Sequence, residues 1–399
     1  MTIYKKVTLT VFSLAIFTSF LSGCSLKKTE KLNEIDNNVL NEKFNSFLVV
    51  PVTIHNKTYH FLVDTGSSIT VINEKIAKEI TQEIPFSMLH PLHKEVFSNF
   101  KTIHGKIEAK HVKFFKPITL FINNKEISNN DIIISLSMDF NLLTQANGIN
   151  IDGILGIDTF RRFHWQVDND NKIITISGTS FPISNYSYCI GYSDKYNGSP
   201  ILNLDYGTND TIKMDIDTGA LITYMDKKFI EYIKKQKENL MPIKNSGSSI
   251  EATGHIKNKD YILTGLTFNN HPLGEIRISE NNNHQYGVGM NFLSRFNRYA
   301  FMPSKMLFCY DTTSLYKENQ YPVRNIGVRY YDKHIEISYN KQNNIDKYHL
   351  KKGDVIIKIN DVVYPPQKIE KVREILSQTP KGQLTLIIKR LGVKQKIVI

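Results

Sequence analysis

Two aspartates of this 399-residue chain occupy the same local setting, Asp64 in FLVDTGSSIT and Asp217 in IKMDIDTGALIT. Each follows an apolar, strand-like run, and each is followed by Thr and Gly. An isolated Asp-Thr-Gly predicts a turn between two strands, because these residues hydrogen-bond their own backbone or accept positive φ. Two carboxylates that face each other could do more. They share one proton, so that one activates water while the other protonates a substrate oxygen.

The surroundings of the two aspartates form an internal repeat. Residues 61–80 and 212–233 both contain an apolar strand, Asp-Thr-Gly, a small residue, a second apolar strand and a helix that carries lysine. The repetition indicates that the two triplets are equivalent. It therefore favours a paired site over two unrelated turns.

A second marker follows each triplet, GILGIDTFRRF in the first copy and YGVGMNFLSRF in the second. Aligning Gly156 with Gly289 also aligns Asp158 with Asn291. Both side chains are good helix N-caps and stand before predicted short helices. Because the counterpart of Asp158 is an amide, we predict a capping role at both positions and no catalytic role for Asp158.

This arrangement resembles the aspartic peptidases of the pepsin and retropepsin type, and most of all the bacterial retropepsin-like lipoproteins that also carry a PDZ domain. The resemblance covers residues 45–312. It implies a mainly β chain with a duplicated two-lobe aspartic-protease β-barrel fold, with lobe 1 at 45–182 and lobe 2 at 183–315. Both aspartates lie in one chain, so we expect a monomer.

The resemblance assigns Asp64 and Asp217 as the catalytic pair. It implies that the two threonines hydrogen-bond across to the opposite loop, and that the glycines let the backbone approach the carboxylates. Ser67 could hydrogen-bond Asp64, whereas the second copy has Ala220, so the pair would be asymmetric. The predicted support residues of the two loops are Thr65, Gly66, Ser67, Thr218, Gly219, Ala220, Gly156 and Gly289.

A hairpin flap that closes over the substrate is a further implication of the resemblance. The segment 102–114 has the right place in the first copy, and 251–263 is its counterpart. Each segment has a His beside a Gly near the predicted tip. These histidines either contact substrate or are exposed hairpin residues. The flap candidates are His104, Gly105, Gly254 and His255.

The segment HPLH, with His90 and His93, raises the question of a metal site. Two histidines without further ligands at suitable spacing are a poor zinc site. Cys189 and Cys309 do not stand in a Cys-x-x-Cys pair either. We therefore expect no metal and no cofactor. In an oxidising compartment these two cysteines form one disulfide, or they remain two buried thiols.

The first 23 residues have the order of an export signal. Lys5 and Lys6 precede a mostly apolar run over residues 7–20, and LSGC ends at Cys24. This order resembles the lipobox of bacterial lipoproteins, which implies a signal peptide at 1–23 and a lipidated Cys24. An ordinary signal peptide or a membrane anchor is the alternative. The polar residues 24–44 are predicted to be a tether from the lipid, in a cell envelope location facing the periplasm or in the outer membrane.

The formal charge of +12 falls to 12 − 2 = +10 when residues 1–23, with two lysines, are removed. A basic chain invites a nucleic-acid interpretation. The lysines are scattered and the chain has export features, so we expect no nucleic-acid partner.

Residues 324–399 look like a PDZ domain, with a Gly-Asp turn into LKKGDVIIKINDVV, an amphipathic helix and two final strands. The resemblance implies capture of a C-terminal peptide by strand addition. The candidate peptide-binding residues are Ile326, Gly327 and Val328. They depart from the usual Gly-Leu-Gly-Phe loop, so a structural cap on the peptidase remains the alternative.

The sequence thus predicts a lipid-anchored aspartic endopeptidase of the bacterial cell envelope. Its partners would be a protein or peptide substrate, the membrane through its lipid, and a C-terminal peptide on the PDZ domain. A non-catalytic peptide-binding or scaffolding lipoprotein, with a retired protease cleft, is the alternative from another class.

Overall fold

The fold is taken from a computed structural model that describes residues 39–91, 94, 112–127, 133–136, 140–194, 198–207, 210–235, 239–243, 248–251, 254–257, 259–282, 284–318, 323–338 and 345–399. These residues belong to one compact unit, Asn38–Ile399. The predicted signal peptide, Cys24, His93, His104 and Gly105 lie outside them. Within the described part, no helix is both long and apolar enough to cross a membrane.

The described residues are mainly β. The strands are β1 Val39–Lys43, β2 Val49–Ile54, β3 Lys57–Val63, β4 Val71–Asn73, β5 Glu83–Ile84, β6 Val112–Phe115, β7 Phe121–Ile122, β8 Lys125–Glu126, β9 Ile133–Leu136, β10 Gly153–Leu155, β11 His164–Asp168, β12 Ile173–Ser177, β13 Tyr188–Gly191, β14 Ser193–Asp194, β15 Pro200–Tyr206, β16 Asp210–Ile216, β17 Thr223–Asp226, β18 Leu240–Pro242, β19 Ser248–Glu251, β20 Gly254–Lys257, β21 Asp260–Leu263, β22 Leu266–Phe268, β23 His271–Pro272, β24 Ile276–Asn281, β25 Gly287–Val288, β26 Arg298–Met302, β27 Leu307–Asp311, β28 Gly327–Tyr331, β29 His334–Ser338, β30 Val355–Ile359, β31 Thr385–Arg390 and β32 Val393–Val398.

Helices are short and few among these strands. They are α1 Glu74–Ile80, α2 Phe140–Asn147, α3 Ile157–Phe160, α4 Lys227–Lys235, α5 Met290–Leu293 and α6 Ile369–Gln378, with 3₁₀ turns at Phe86–Met88, Ile183–Asn185, Pro303–Lys305, Asp346–Tyr348 and Pro366–Lys368. On α4, Ile230 and Ile233 are buried, three residues apart on one helical face.

Two large sheets have the same strand order. The first runs β5-β6-β9-β4-β10-β3-β2-β7-β8, and the second runs β18-β21-β24-β17-β25-β16-β15-β22-β23, with β14 paired to β15. In the first, a two-residue loop, His55-Asn56 with both φ positive, turns β2 into β3. That hairpin ends directly before Asp64. In the second, β15 and β16 form the matching hairpin and end before Asp217.

A six-stranded sheet, of order β1-β12-β11-β26-β27-β13, joins the two large sheets. The hairpin β11–β12 comes from the first copy and the hairpin β26–β27 from the second, and β11 pairs with β26. Large aromatic side chains fill the space beneath it, including the fully buried Trp165, Tyr299 and Phe308. The structure contains a disulfide between Cys189 on β13 and Cys309 on β27.

The predicted tether 24–44 is wrong at its C-terminal end. Residues 39–43 form β1, which pairs along its whole length with β12 at the edge of the six-stranded sheet. Its side chains alternate between exposed and half-buried, and Phe44, which follows it, is buried. A polar segment can pair in this way because an edge strand is held by main-chain hydrogen bonds.

The C-terminal residues form a separate five-stranded sheet, β28-β29-β30-β31-β32, covered by α6. This C-terminal unit has its own apolar core, in which Ile326 and Val328 are buried together with Val372 and Leu376 of α6. The buried Arg324 donates hydrogen bonds to the carbonyls of Leu376 and Thr379, at 3.2 and 2.7 Å, and so caps the C-terminal end of α6.

Helix α2 of the first copy contacts the C-terminal unit at its edge strand β28. Arg373 of α6 donates to the Ala146 carbonyl at 2.7 Å and to the Val328 carbonyl at 3.2 Å. Arg329 reaches Gln145 at 3.5 Å. The arginines thus tie the last turn of α2 to β28 and α6.

Candidate active site

Asp64 and Asp217 begin loops that are held by the strand behind each of them. The Asp64 N–H donates to the Leu155 carbonyl of β10 at 2.9 Å, and the Asp217 N–H donates to the Val288 carbonyl of β25 at 3.0 Å. Each loop therefore leaves its hairpin at the point where a parallel neighbouring strand ends. These hydrogen bonds to β10 and β25 fix where each aspartate lies along its strand.

The two loops are cross-linked by their threonines. Thr65 Oγ1 donates to the Ile216 carbonyl at 2.6 Å, and Thr218 Oγ1 donates to the Val63 carbonyl at 2.7 Å. Each threonine N–H also donates to the other hydroxyl at 3.1 Å. The cross-loop contacts implied by the resemblance are therefore present, and their reciprocity gives the site an approximate twofold character.

The glycines bring each loop against the opposite carboxylate. A Cβ on Gly66 would lie 2.7 Å from Asp217 Cγ, and a Cβ on Gly219 would lie 2.4 Å from Asp64 Cγ. Neither distance leaves room for a methyl group. The two carboxylates are therefore brought together at this point.

Backbone amides hold one oxygen of each carboxylate. Asp64 Oδ1 accepts from the N–H groups of Gly66 and Ser67 at 2.8 and 3.2 Å. Asp217 Oδ1 accepts from Gly219 and Ala220, both at 3.0 Å. The predicted bond from Ser67 to Asp64 is therefore made by the main chain. The Ser67 hydroxyl donates instead to the Ile69 carbonyl at 2.8 Å, so Ser or Ala at this position gives the carboxylate the same donor.

The environment favours the protonated form of the pair. Burial raises the pKa of Asp64 above its usual range. Burial and the charge of Asp64 together raise the pKa of Asp217. Two carboxylates this close together do not ionise together easily, so over a range of pH one keeps its proton. Such a pair has a base and an acid available at once.

Gly156 and Gly289 lie behind the two loops, as the resemblance implies. A Cβ on Gly156 would lie 2.3 Å from the Ile69 main chain, and one on Gly289 would lie 2.6 Å from the Ala220 carbonyl oxygen. Main-chain atoms cannot move aside as side-chain ends do. Both positions therefore need glycine for a close approach of two backbones.

The predicted N-cap roles of Asp158 and Asn291 are wrong. The N-caps of α3 and α5 are Gly156 and Gly289, without a side-chain cap bond. Asp158 instead accepts from the N–H and hydroxyl of Thr70, at 3.1 and 2.8 Å.

In the second copy, Asn291 Oδ1 accepts from the N–H and hydroxyl of Thr223, both at 2.8 Å. Each acceptor therefore holds the strand that follows an Asp-Thr-Gly loop. The two positions are equivalent, as aligned, because an amide oxygen accepts these bonds as well as a carboxylate does.

Two contacts of this site were not predicted from the sequence. The hydroxyl of Ser199 donates to the Thr65 carbonyl at 2.6 Å, which adds a support from the second copy to the first loop. Tyr224 Oη donates to Asp217 Oδ2 at 3.1 Å. The signal for Tyr224 was present in the repeat, since Tyr224 and Gly287 stand where the first copy has Val71 and Ile154.

The predicted flaps are described only in part. In the second copy, β19 and β20 form a hairpin in which Glu251 pairs with Gly254. Gly254 and His255 therefore begin its returning strand. The hairpin starts earlier than the predicted segment 251–263, whose last four residues belong to β21 of the large sheet. Substrate contact by these residues stays a prediction.

His90 is exposed. Across the described residues, no group of three or more His, Cys, Asp or Glu side chains is placed to hold a metal ion.

The comparisons with known proteins bear on the first copy. No curated protein matches this chain. The family model described as aspartyl protease matches residues 50–159, which include Asp64 and Gly156 and end before Asp217. Over these residues the chain is similar to the aspartyl proteases, and the match indicates an aspartic-type peptidase domain in a mainly β chain.

Proposed function

We propose that this protein is an aspartic endopeptidase in which Asp64 and Asp217 form the catalytic pair. The observation that carries the proposal is the reciprocal contact of the two Asp-Thr-Gly loops, in which each glycine lies against the opposite carboxylate. This contact brings together the half-buried Asp64 and the buried Asp217, from loops 153 residues apart in sequence (217 − 64 = 153).

The mechanism follows from the shared proton. The ionised carboxylate takes a proton from a water molecule, which then attacks the carbonyl carbon of the peptide bond. The protonated carboxyl donates a hydrogen bond to the carbonyl oxygen and supports the charge that develops there. When the C–N bond breaks, the carboxyl that took the proton from water gives it to the leaving nitrogen, and the pair returns to one shared proton. The roles belong to the pair and can exchange between steps.

The same proposal includes a duplicated, two-lobed peptidase. Its support is the identical strand order of the two large sheets and the hairpin that each copy contributes to the six-stranded sheet. Every strand of the first sheet has a counterpart in the second. This pattern extends the proposed peptidase fold beyond the residues that the family model matches.

The test is cleavage of a mixed peptide library by the full-length chain in detergent, from pH 3 to 8, with and without pepstatin. Asp64→Asn and Asp217→Asn should each lower cleavage by at least about 1,000-fold, because either change removes the shared proton or its acceptor. Asp210→Asn is the control, since Asp210 is exposed at the far end of β16. Cleavage by either dyad variant at the level of Asp210→Asn would contradict the mechanism.

The rival interpretation is a peptide-binding lipoprotein with a retired cleft. A retired cleft needs neither the two acids nor the two glycines that press against them, because peptide binding places no demand on a shared proton. The full set of contacts in this chain therefore favours the enzyme. A folded wild-type chain that binds library peptides and cleaves none of them would favour the rival.

We further propose that the protein is a lipoprotein anchored in the cell envelope through Cys24. The support is the order of charge, apolar run and LSGC at residues 5–24. A disulfide is also typical of exported proteins, and the structure has one. Metabolic labelling with a fatty acid should mark the wild-type chain and leave Cys24→Ala unlabelled; equal labelling of both would contradict the anchor.

We propose that the C-terminal unit, which resembles a PDZ domain, caps the peptidase. The side chains of Ile326 and Val328 are committed to its core, and α2 and Arg373 lie along the edge strand that begins at Gly327. A fluorescent C-terminal peptide library should therefore show no saturable binding to the full-length chain. Saturable binding that depends on a free carboxylate would favour the peptide-receptor alternative.

A further inference from the structure

We propose that Tyr224 is a positioning residue of the aspartate pair, which holds Asp217 in place and stabilises the ionised form of the pair. The inference rests on the proposed function and deepens it. It adds a donor that the first copy does not supply, because the equivalent residue there is Val71.

The Tyr224 hydroxyl contacts the Asp217 oxygen that does not accept from the loop N–H groups. Tyr224 lies on β17, seven residues after Asp217, and its Oη donates to Asp217 Oδ2 at 3.1 Å. The other oxygen, Oδ1, accepts from the N–H groups of Gly219 and Ala220. The two oxygens of Asp217 thus have separate donors, and together these donors fix the rotation of the carboxylate about its bond to Cβ.

The space for the phenol is made by a glycine on the neighbouring strand. Tyr224 stands opposite Gly287 in the pairing of β17 with β25. A Cβ at Gly287 would lie 2.3 Å from Tyr224 Cζ. In the first copy the same pairing places Val71 opposite Ile154. One copy therefore has two branched aliphatic residues where the other has a tyrosine and a glycine.

This exchange is complementary in shape and changes the chemistry. Tyr224 beside a branched residue would not fit, and Gly287 beside a valine would leave a cavity. The exchange places a hydroxyl group at the buried carboxylate of one copy alone. It makes the pair asymmetric, although the loops that carry it are nearly equivalent.

The phenol lies in the electrostatic field of three carboxylates. The titratable groups whose charges act on Tyr224 are Asp217, Asp215 and Asp64. With burial, they raise the pKa of Tyr224 well above its ordinary value, so the phenol keeps its proton and acts as a donor. A hydrogen bond given to a carboxylate favours the charged form. Tyr224 therefore opposes the burial and the charge of Asp64, which raise the pKa of Asp217.

The test uses Tyr224→Phe, which removes the donor and keeps the ring. The ionised pair loses a hydrogen bond, so its apparent pKa should rise by about 0.5 to 1 unit. The acid limb of the kcat/KM profile should move to higher pH by the same amount, so activity is lost first on the acid side.

Tyr261→Phe is the matched control. The Tyr261 hydroxyl also donates to a carboxylate in the same sheet, Glu280 Oε2, at 2.9 Å. Removal of the Tyr261 hydroxyl should leave the acid limb of the kcat/KM profile at the same pH as in the wild type. An acid limb at the same pH in the wild type and Tyr224→Phe, or an equal loss at every pH, would overturn the proposal.

A titration that needs no activity separates this proposal from the proposed function. If the wild type cleaves nothing, the function fails, and ¹³C NMR of the aspartate Cγ atoms still decides the role of Tyr224. Signals assigned with Asp64→Asn and Asp217→Asn should titrate at higher pH in Tyr224→Phe. An unchanged titration would overturn the proposal.

The double variant Tyr224→Val with Gly287→Ile restores the residue pair of the first copy and serves where Tyr224→Phe is poorly folded. The apparent pKa of the aspartate pair should rise in this double variant as it does in Tyr224→Phe.

Discussion

Glycine is needed at positions 66 and 219 because the opposite loop lies against each of them. Neither has a positive φ, so the ordinary reason for glycine in a turn does not apply to them. Their reason is the opposite carboxylate, which lies where a side chain would begin. At this scale the turn explanation of Asp-Thr-Gly fails, because it accounts for the glycine by backbone conformation alone.

Gly219→Ala should therefore lower kcat/KM by about 100-fold or more while the chain stays folded. The added Cβ would lie 2.4 Å from Asp64 Cγ, and a misplacement of about 1 Å in a reacting group can cost that factor. Gly191→Ala is the control, since the nearest atom to its Cβ is 4.0 Å away. Peptidase assays with circular dichroism of both variants provide the measurement. Equal activity of the two variants would contradict the role given to Gly219.

At the scale of elements, the sequence predicted what depends on a repeated pattern. The paired loops, the helix that follows each loop (Glu74–Ile80 and Lys227–Lys235 in the structure) and the mainly β character follow from apolar runs and repeated motifs. The edge strand at residues 39–43 was missed because it is polar and is held by main-chain pairing. The contact of Tyr224 with Asp217 depends on Gly287, 63 residues further along (287 − 224 = 63), and no local pattern reports such a pairing.

The docking of α2 on the C-terminal unit was also outside the reach of local patterns. It depends on Arg373, which pairs with Glu370 of its own helix and also donates to two main-chain carbonyls from different parts of the chain. The Ala146 carbonyl is at the C-terminal end of α2, where the helix has no partner of its own to offer. The arginine therefore completes a helix end and holds an interface with the same side chain.

Arg373→Ala should lower the free energy of unfolding by about 1–3 kcal/mol, because two carbonyls lose a charged donor. Lys371→Ala, on the same helix, should change it by less than about 0.5 kcal/mol, since Lys371 pairs only with the exposed Glu374 in the contacts described. Urea denaturation of both variants is the measurement. A loss for Arg373→Ala no greater than that for Lys371→Ala would show that the docking contact is weak.

At the scale of the whole molecule, the two copies have the same plan and unequal details. The strand orders of their large sheets coincide, yet Ser67, Val71 and Ile154 of the first copy correspond to Ala220, Tyr224 and Gly287 of the second. The exchange of Ser67 for Ala220 does not change the hydrogen bonds that the carboxylates accept. The other two exchanges add the hydrogen bond from Tyr224 to Asp217. The main chains of the two copies are thus nearly symmetric, while the side chains around Asp217 differ from those around Asp64.

The pairing of β11 with β26 has a consequence for mass action. Each copy contributes a hairpin to one sheet of one chain, so the encounter of the two aspartates is unimolecular and its effective concentration does not depend on how much protein is present. Dilution cannot separate the two acids. A catalytic pair built in this way has the same turnover per molecule at low protein concentration as at high protein concentration.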